Sequence, residues 1–145
     1  MAQQFYFEDL EVGYEIAPLE KNPTTQQLVK YAGASGDFYQ IHYDKDFALA
    51  NKLSGVILHG ALKNAFLGQL MTDFAGDAGW LRKLSVQYRA MDMPGAKLLA
   101  KGRVTKKYVE NGEHLIDCEV WIENEKGDKT TPGSATVALP SRQSA

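Results

Sequence analysis

The apolar residues between Leu58 and Met71 recur at helical spacing and cover almost the whole circumference of the helix they predict. The segment reads LHGALKNAFLGQLMTDF, and between Gly60 and Met71 only Lys63, Asn64 and Gln69 interrupt its apolar surface. A helix that is apolar nearly all round is enclosed by other structure rather than laid on a surface. The pattern therefore predicts a long central helix wrapped by the rest of the chain.

After Trp80 the hydrophobic period changes to two, which is typical of strands. The candidate strands, in chain order, are KLSVQYRA, AKLLAKGRVTKKYV, HLIDCEVWIEN and SATVAL, and a short strand in GYEIAP precedes the helices. The joints carry the turn sequences DMPG, ENGE and EKGD, and Asn111-Gly112 predicts a hairpin turn. The pattern therefore predicts an α+β fold, with one curved antiparallel sheet of about five strands wrapped around the long central helix.

Two shorter helices are predicted before the central one. In PTTQQLVKYAGASG, Thr24 and Gln27 have the spacing of a capping box, and Gly33 and Gly36 bring the helix to an end. Asp44 is placed to cap a second helix in KDFALANK. The stretch GDFYQIH, between these two helices, is predicted to be irregular.

Composition narrows the class of protein. The chain has 145 residues, which fits one domain over residues 1–145. Its net charge is −2 and its basic residues are scattered, so we expect no nucleic-acid partner. Cys118 is the only cysteine and the N-terminus shows no secretory signal, so we expect a cytoplasmic protein. Polar residues break the longest apolar stretch, and no membrane span is predicted.

The stretch GDFYQIH carries the first candidate chemistry, Asp37 and His42. Five residues on a helix would place the two about 140° apart, and a strand would send them to opposite faces. Only a chain that bends back on itself between them makes a site. An imidazole holds or passes a proton at cellular pH, and a carboxylate beside it can orient a water molecule or accept its proton. A turn role for Asp37 and a structural role for His42 remain open.

A second candidate is His59-Gly60, where the central helix begins. Backbone N–H groups in the first turn of a helix lack partners and carry the positive end of the helix dipole. A glycine there allows a ligand carbonyl to approach closely, which would make Gly60 a one-donor oxyanion site. The alternative is that Gly60 is small only for packing and that His59 caps the helix.

Other chemistries have less support. There is no G-x-S-x-G or Cys-His nucleophile pattern, and GASG lacks the glycine spacing of a nucleotide-phosphate loop. His42, Asp44 and Asp46 match no metal-binding spacing, so we expect no metal. One strand face carries basic residues that are either solvated or placed to meet coenzyme phosphates. These residues are Lys97, Lys101, Arg103 and Lys107.

YAGASGDFYQIHYDKDFA followed by ILHGAL resembles the MaoC-like family of (R)-specific enoyl-CoA hydratases and dehydratases, which have the hotdog fold. The residues that match the family motif are Tyr31, Ser35, Gly36, Asp37, Ile41, His42, Ala48, His59 and Gly60. SVQYRAMDMPG also resembles the family's first strand after the hotdog helix, and the likeness spans roughly residues 5 to 140. The clear departure is Tyr39-Gln40, where the family has Asn-Pro.

The resemblance implies reversible hydration of a trans-2-enoyl-CoA to a (3R)-3-hydroxyacyl-CoA, a lyase reaction of fatty acid metabolism. Asp37 would be the base, His42 would orient the water or share its proton, and the Gly60 N–H would stabilise the enolate oxygen. It also implies a homodimer and no cofactor, with the CoA thioester as substrate. The residues expected against the substrate are Tyr39, Gln40 and His59.

Three other functions stay open. A hotdog thioesterase usually carries a carboxylate on the central helix, and this sequence has none between Gly60 and Thr72. The chain could instead be a subunit of a heteromeric MaoC-type hydratase, a possibility raised by Tyr39-Gln40. It could also be an acyl-CoA-binding module without activity.

Overall fold

The computed structural model describes residues 3–143. The strands are β1 (Glu15–Lys21), β2 (Trp80–Val86), β3 (Leu98–Glu110), β4 (Glu113–Glu123) and β5 (Lys129–Ala138). The helices are α1 (Thr25–Ser35), α2 (Lys45–Ala50) and α3 (Gly60–Ala75), with 3₁₀ turns at Phe7–Asp9 and Gln40–His42. Among these residues, no helix has both the length and the apolar character that crossing a membrane requires.

All five strands form one antiparallel sheet in the order β1-β3-β4-β5-β2. Helix α3 contacts every strand of this sheet, as its apolar circumference predicts. Its buried side chains meet the inner face of the sheet in a single core. The hotdog architecture expected from the sequence, a curved sheet around one long helix, is confirmed. The buried apolar residues of α3 are Leu62, Phe66, Leu67, Leu70, Met71, Phe74 and Ala75.

Local signals account for most element ends. The Thr24 hydroxyl accepts the Gln27 N–H at 3.2 Å, and the Asp44 carboxylate accepts the first-turn N–H of Phe47 at 3.0 Å. Asn111 and Gly112 have φ of 50° and 78°, the left-handed pair that a tight hairpin turn requires. Both caps and the turn were predicted from the sequence.

The strand predicted over KLSVQYRA is shorter than expected, because β2 ends at Val86. Beyond it, the Arg89 and Ala90 N–H groups both donate to the Thr130 carbonyl, at 3.0 and 3.1 Å. Two consecutive N–H groups on one acceptor break the alternation that a strand needs. Regular strand pairing therefore ends at Val86, and the segment 87–92 stays bonded to β5 while it runs beside the start of α3.

Candidate active site

The chain bends sharply between α1 and α2. Gly36 ends α1 with φ 79°, and its N–H donates to Ala32. The Asp37 carboxylate then accepts the Tyr39 N–H at 3.3 Å, and the Tyr39 carbonyl accepts the His42 N–H at 3.1 Å. This turn brings Asp37 Oδ2 to 3.9 Å from His42 Nε2. The bend that the pair required is present.

Hydrogen bonding fixes the tautomer of His42. Its Nδ1 lies 2.7 Å from the carbonyl oxygen of Ile57, which can only accept, so Nδ1 carries a proton. When the ring is neutral, Nε2 is left as an acceptor on the side of Asp37. The His42 side chain is 8% exposed and that of Asp37 is 50% exposed. A separation of 3.9 Å is too long for a direct hydrogen bond, so each group remains available to a third partner.

His59 holds the bend against the start of α3. Its Nε2–H donates to the Asp37 carbonyl at 3.2 Å, and its ring lies edge-on to Tyr31 with centroids 4.8 Å apart. His59 is the N-cap residue of α3, as one interpretation of the sequence had it, but it caps the helix through its backbone carbonyl and not through its side chain. His59 is fully buried, and burial together with nearby His42 lowers its pKa. Within residues 3–143, its Nδ1 has no hydrogen-bond partner.

Gly60 is the first residue of α3, so its N–H belongs to the unpaired first turn. A side chain there would be tight, because a Cβ would lie 3.0 Å from the ring of Tyr88, which would have to move outward. The packing reason for glycine at this position is therefore real, and it is compatible with a donor role. Gly60, His42, Tyr88 and Lys63 all line one cavity of about 300 Å³.

The two residues that replace Asn-Pro contribute differently. The Tyr39 ring lies edge-on to His42, with centroids 6.3 Å apart, and it also contacts Phe47. Gln40 acts through its backbone, because its carbonyl accepts the Asp44 N–H at 2.8 Å and its side chain is exposed. Tyr39 thus stands beside the candidate pair, while Gln40 shapes the turn.

Sequence reasoning missed Lys63 and Asp92. Lys63 was expected as a polar interruption of the helix surface, yet it is buried and forms an ion pair with Asp92 at 3.1 Å. Tyr88 was expected only as one position of a strand, and it instead covers Gly60. No local pattern reveals these contacts, because the partners are 28 or 29 residues apart in the sequence.

Within residues 3–143, one cluster offers atoms that a metal could use: Asp37, His42 and His59 place ligand atoms within 4.8 Å of one another. The two imidazoles are stacked with planes inclined by 21°, and each already uses one ring nitrogen to hold a backbone carbonyl. The Asp44 carboxylate is occupied as the cap of α2. This geometry suits acid/base chemistry better than a tetrahedral metal site, and the absence of a metal stays a prediction.

The basic face of β3 is largely neutralised by acidic neighbours. The ion pairs are Lys97–Glu20 at 3.4 Å, Lys101–Glu123 at 3.1 Å, Arg103–Glu119 at 2.7 Å and Lys107–Glu11 at 3.8 Å. Lys107 was expected on the same face as the others, and this is wrong. A register shift between Val104 and Lys106 moves Lys107 to the inner side, where its ammonium donates to the Leu10 carbonyl. Nothing in this face favours a phosphate ligand over the glutamates already present.

Comparison with known proteins places the chain in a family. Residues 11–127 match the MaoC like domain. The chain is 28% identical over 143 residues to the (R)-specific enoyl-CoA hydratase of Rhodospirillum rubrum, covering 94% of this chain and 93% of that one. It is 30% identical over 135 residues to fatty acid synthase subunit beta of Saccharomyces cerevisiae; these are 91% of this chain but only 6% of that subunit.

A solved hydratase structure is similar to this chain in both fold and sequence. The (R)-hydratase from A. caviae, described as involved in PHA biosynthesis, superposes with a TM-score of 0.82 at 25% identity. The match covers 92% of this chain and 99% of that one. The domain match spans most of the chain and the fold agrees with it. The chain belongs to the MaoC-like domain family.

Proposed function

We propose that this protein catalyses the reversible hydration of trans-2-enoyl-CoA to (3R)-3-hydroxyacyl-CoA. The observation that carries the proposal is the Asp37–His42 pair, 3.9 Å apart beside the start of α3 at Gly60. A carboxylate and an imidazole at that separation can hold one water molecule between them. The named activity of the Rhodospirillum rubrum relative supports the same reaction.

The mechanism assigns one role to each group. The oxygen of the water bonds to C3 of the substrate while Asp37 accepts a proton from the water. His42 Nε2 orients the water for this attack. The double-bond electrons move to the thioester oxygen, and the Gly60 N–H stabilises the resulting enolate. A proton then passes from the Asp37–His42 pair to C2, which completes the addition. The hydrogen bond from His42 Nδ1 to Ile57 holds the ring in the orientation that this requires.

The structure gives less support to a thioesterase than to a hydratase. The first carboxylate on α3 is Asp73, thirteen residues after Gly60 and about 20 Å further along the helix. No carboxylate of α3 therefore reaches the bend. An acyl-CoA-binding protein without activity would not need Asp37 and His42 to face each other.

We also propose that the protein acts as a homodimer in the cytoplasm without a cofactor. The bend exposes three aromatic side chains beside the site: Phe38, Tyr39 and Tyr43. A second subunit that covered this face would remove the three side chains from water. A different subunit is the alternative partner, and light scattering of the pure chain separates the two. A dimer supports the homodimer, and an inactive monomer supports a heteromeric hydratase.

The test is hydration itself. The pure protein is incubated with trans-2-enoyl-CoAs of several chain lengths, loss of the conjugated thioester is followed, and the product is analysed for chirality. We expect the (3R) product, and a loss of about 10²- to 10⁴-fold in kcat for Asp37→Asn and for His42→Ala. The matched control is Asp46→Asn, an exposed carboxylate on α2. No hydration by the wild type, or full activity in both variants, would reject the proposal.

A further inference from the structure

A buried ion pair fixes one wall of the candidate site. The Lys63 ammonium donates to the Asp92 carboxylate at 3.1 Å and to the Ala90 carbonyl at 2.8 Å. The Thr130 hydroxyl donates to the same Asp92 oxygen at 2.6 Å. The side chains of both charged residues are only 3% exposed. Lys63 thus binds two points of the segment 87–92 from within the central helix.

The segment that Lys63 binds, 87–92, is also the one that contacts Gly60. Lys63 lies one helical turn after Gly60, so both stand on the same side of α3. The segment also holds the helix start directly, because the Leu58 N–H donates to the Asp92 carbonyl at 2.9 Å. Tyr88, at the other end of the segment, packs its ring against Gly60. The position of Tyr88 relative to the Gly60 N–H is therefore set through this segment.

Stability alone does not account for such a pair. Replacing a buried ion pair with uncharged residues of similar volume is often neutral or stabilising, because burial removes both charges from water. The pair instead fixes the position of the segment through three hydrogen bonds. Lys63 donates to Asp92 and to the Ala90 carbonyl, and Thr130 donates to Asp92. Two residues of this segment, Tyr88 and Met91, line the same cavity as His42.

We propose that Lys63 is a positioning residue for the carbonyl site. Paired with Asp92, it holds the segment 87–92 so that Tyr88 shapes the approach of the thioester to the Gly60 N–H. The catalytic consequence rests on the proposed hydratase function. Displacing a site wall by about 1 Å can cost about 100-fold in rate, so the effect should be visible in kcat.

The test removes both charges together. Lys63→Met alone would leave the Asp92 carboxylate buried without a counter-charge, and that variant could fail to fold. Lys63→Met/Asp92→Asn removes both charges, keeps the side-chain sizes and leaves an acceptor for Thr130. The matched control is Lys101→Met/Glu123→Gln, which removes a 3.1 Å ion pair on the outer face of the sheet.

Two measurements decide the proposal. We expect the Lys63→Met/Asp92→Asn double variant to lose about 10- to 100-fold in kcat with little change in KM, and the control to keep both. Amide hydrogen exchange should be faster at Leu58, Arg89 and Ala90 in the double variant only, since these N–H groups bind or belong to the gripped segment. Wild-type kcat, or wild-type exchange at these amides, would overturn the proposal.

Amide hydrogen exchange tests the positioning role of Lys63 independently of the proposed hydratase activity. If the wild type hydrates no enoyl-CoA, the hydratase assignment fails, and exchange still decides whether Lys63 holds the segment. Faster exchange then supports the positioning role, and unchanged exchange overturns it.

Discussion

The imidazole of His42 lies almost parallel to that of His59, with ring centroids 3.8 Å apart and planes inclined by 21°. Each ring donates one N–H to a backbone carbonyl: His42 to Ile57 and His59 to Asp37. Both tautomers are thereby fixed. Burial lowers the pKa of His59, and the neighbouring ring of His42 lowers it further. The stack therefore disfavours the charged form of His59, whose Nε2–H holds the Asp37 carbonyl.

Acid should destabilise the fold through His59. Its pKa is lowered in the folded state from 6.5, so below that pH the unfolded chain binds a proton that the native protein does not. The free energy of unfolding must then fall as the pH falls through about 6.5. Urea denaturation at pH 7.5 and 5.5 should show a smaller loss for His59→Gln than for the wild type, by up to about 1.4 kcal/mol. An equal loss in both proteins would contradict this account.

Gly60→Ala should separate catalysis from stability. The added methyl would lie 3.0 Å from the Tyr88 ring, which is 54% exposed and can move outward. Alanine also favours a helix over glycine by up to about 1 kcal/mol, so we expect a Tm close to wild type. The methyl group and displaced ring should lower kcat by at least about tenfold, because they obstruct the carbonyl site.

The matched control for this change is Gly33→Ala in α1, where a Cβ would meet nothing within 4 Å. It should keep wild-type kcat and raise the stability slightly. Alanine keeps the backbone N–H, so wild-type kcat in Gly60→Ala would show that the thioester does not approach this position closely enough to meet a methyl group.

Cys118 should be inert in the native protein. Its side chain is buried on β4, and burial together with Asp117 raises its pKa to about 12. Only the thiolate reacts with common thiol reagents, so labelling at pH 8 should proceed no faster than the protein unfolds. Labelling should become immediate in concentrated denaturant. Rapid labelling under native conditions would show that β4 opens locally.

The parts of the fold that the sequence predicts are those with local causes. The cap at Thr24 and the turn at Asn111-Gly112 depend on residues within a few positions of each other, so their patterns are readable. The apolar circumference of α3 predicts its enclosure for the same reason. Lys63 could not be placed this way, because its burial depends on Asp92, 29 positions later. A lysine on a helix is ordinarily solvated, and only the tertiary fold shows otherwise.

The same distinction between local and long-range causes applies to the candidate site. The sequence could name Asp37 and His42 and could state that they meet only if the chain bends. It could not show how the bend forms without Asn-Pro. The structure shows that the Asp37 carboxylate itself accepts the Tyr39 N–H and so closes the turn. The catalytic candidate is thus also part of its own scaffold, and the turn role that the sequence left open for Asp37 is present beside the candidate catalytic one.

The bend is already compatible with the proline that Gln40 replaces. Tyr39 has φ −64° and ψ 125°, the extended conformation required of a residue before proline. Among residues 3–143, the Gln40 N–H has no acceptor, so proline there removes no hydrogen bond. Gln40→Pro should therefore raise the free energy of unfolding by about 0.4–1 kcal/mol, because it restricts only the unfolded chain.

The same variant should keep its hydratase activity within about twofold, since the Asp37–His42 separation depends on a backbone that proline accepts. Urea denaturation and the enoyl-CoA assay check the two expectations on one protein. The comparison variant is Ile41→Pro, which places proline one residue later and disfavours the helical turn conformation of Gln40. It should lower both stability and kcat. A destabilised Gln40→Pro would mean that Tyr39-Gln40 holds the bend in a conformation that the family's Asn-Pro would not adopt.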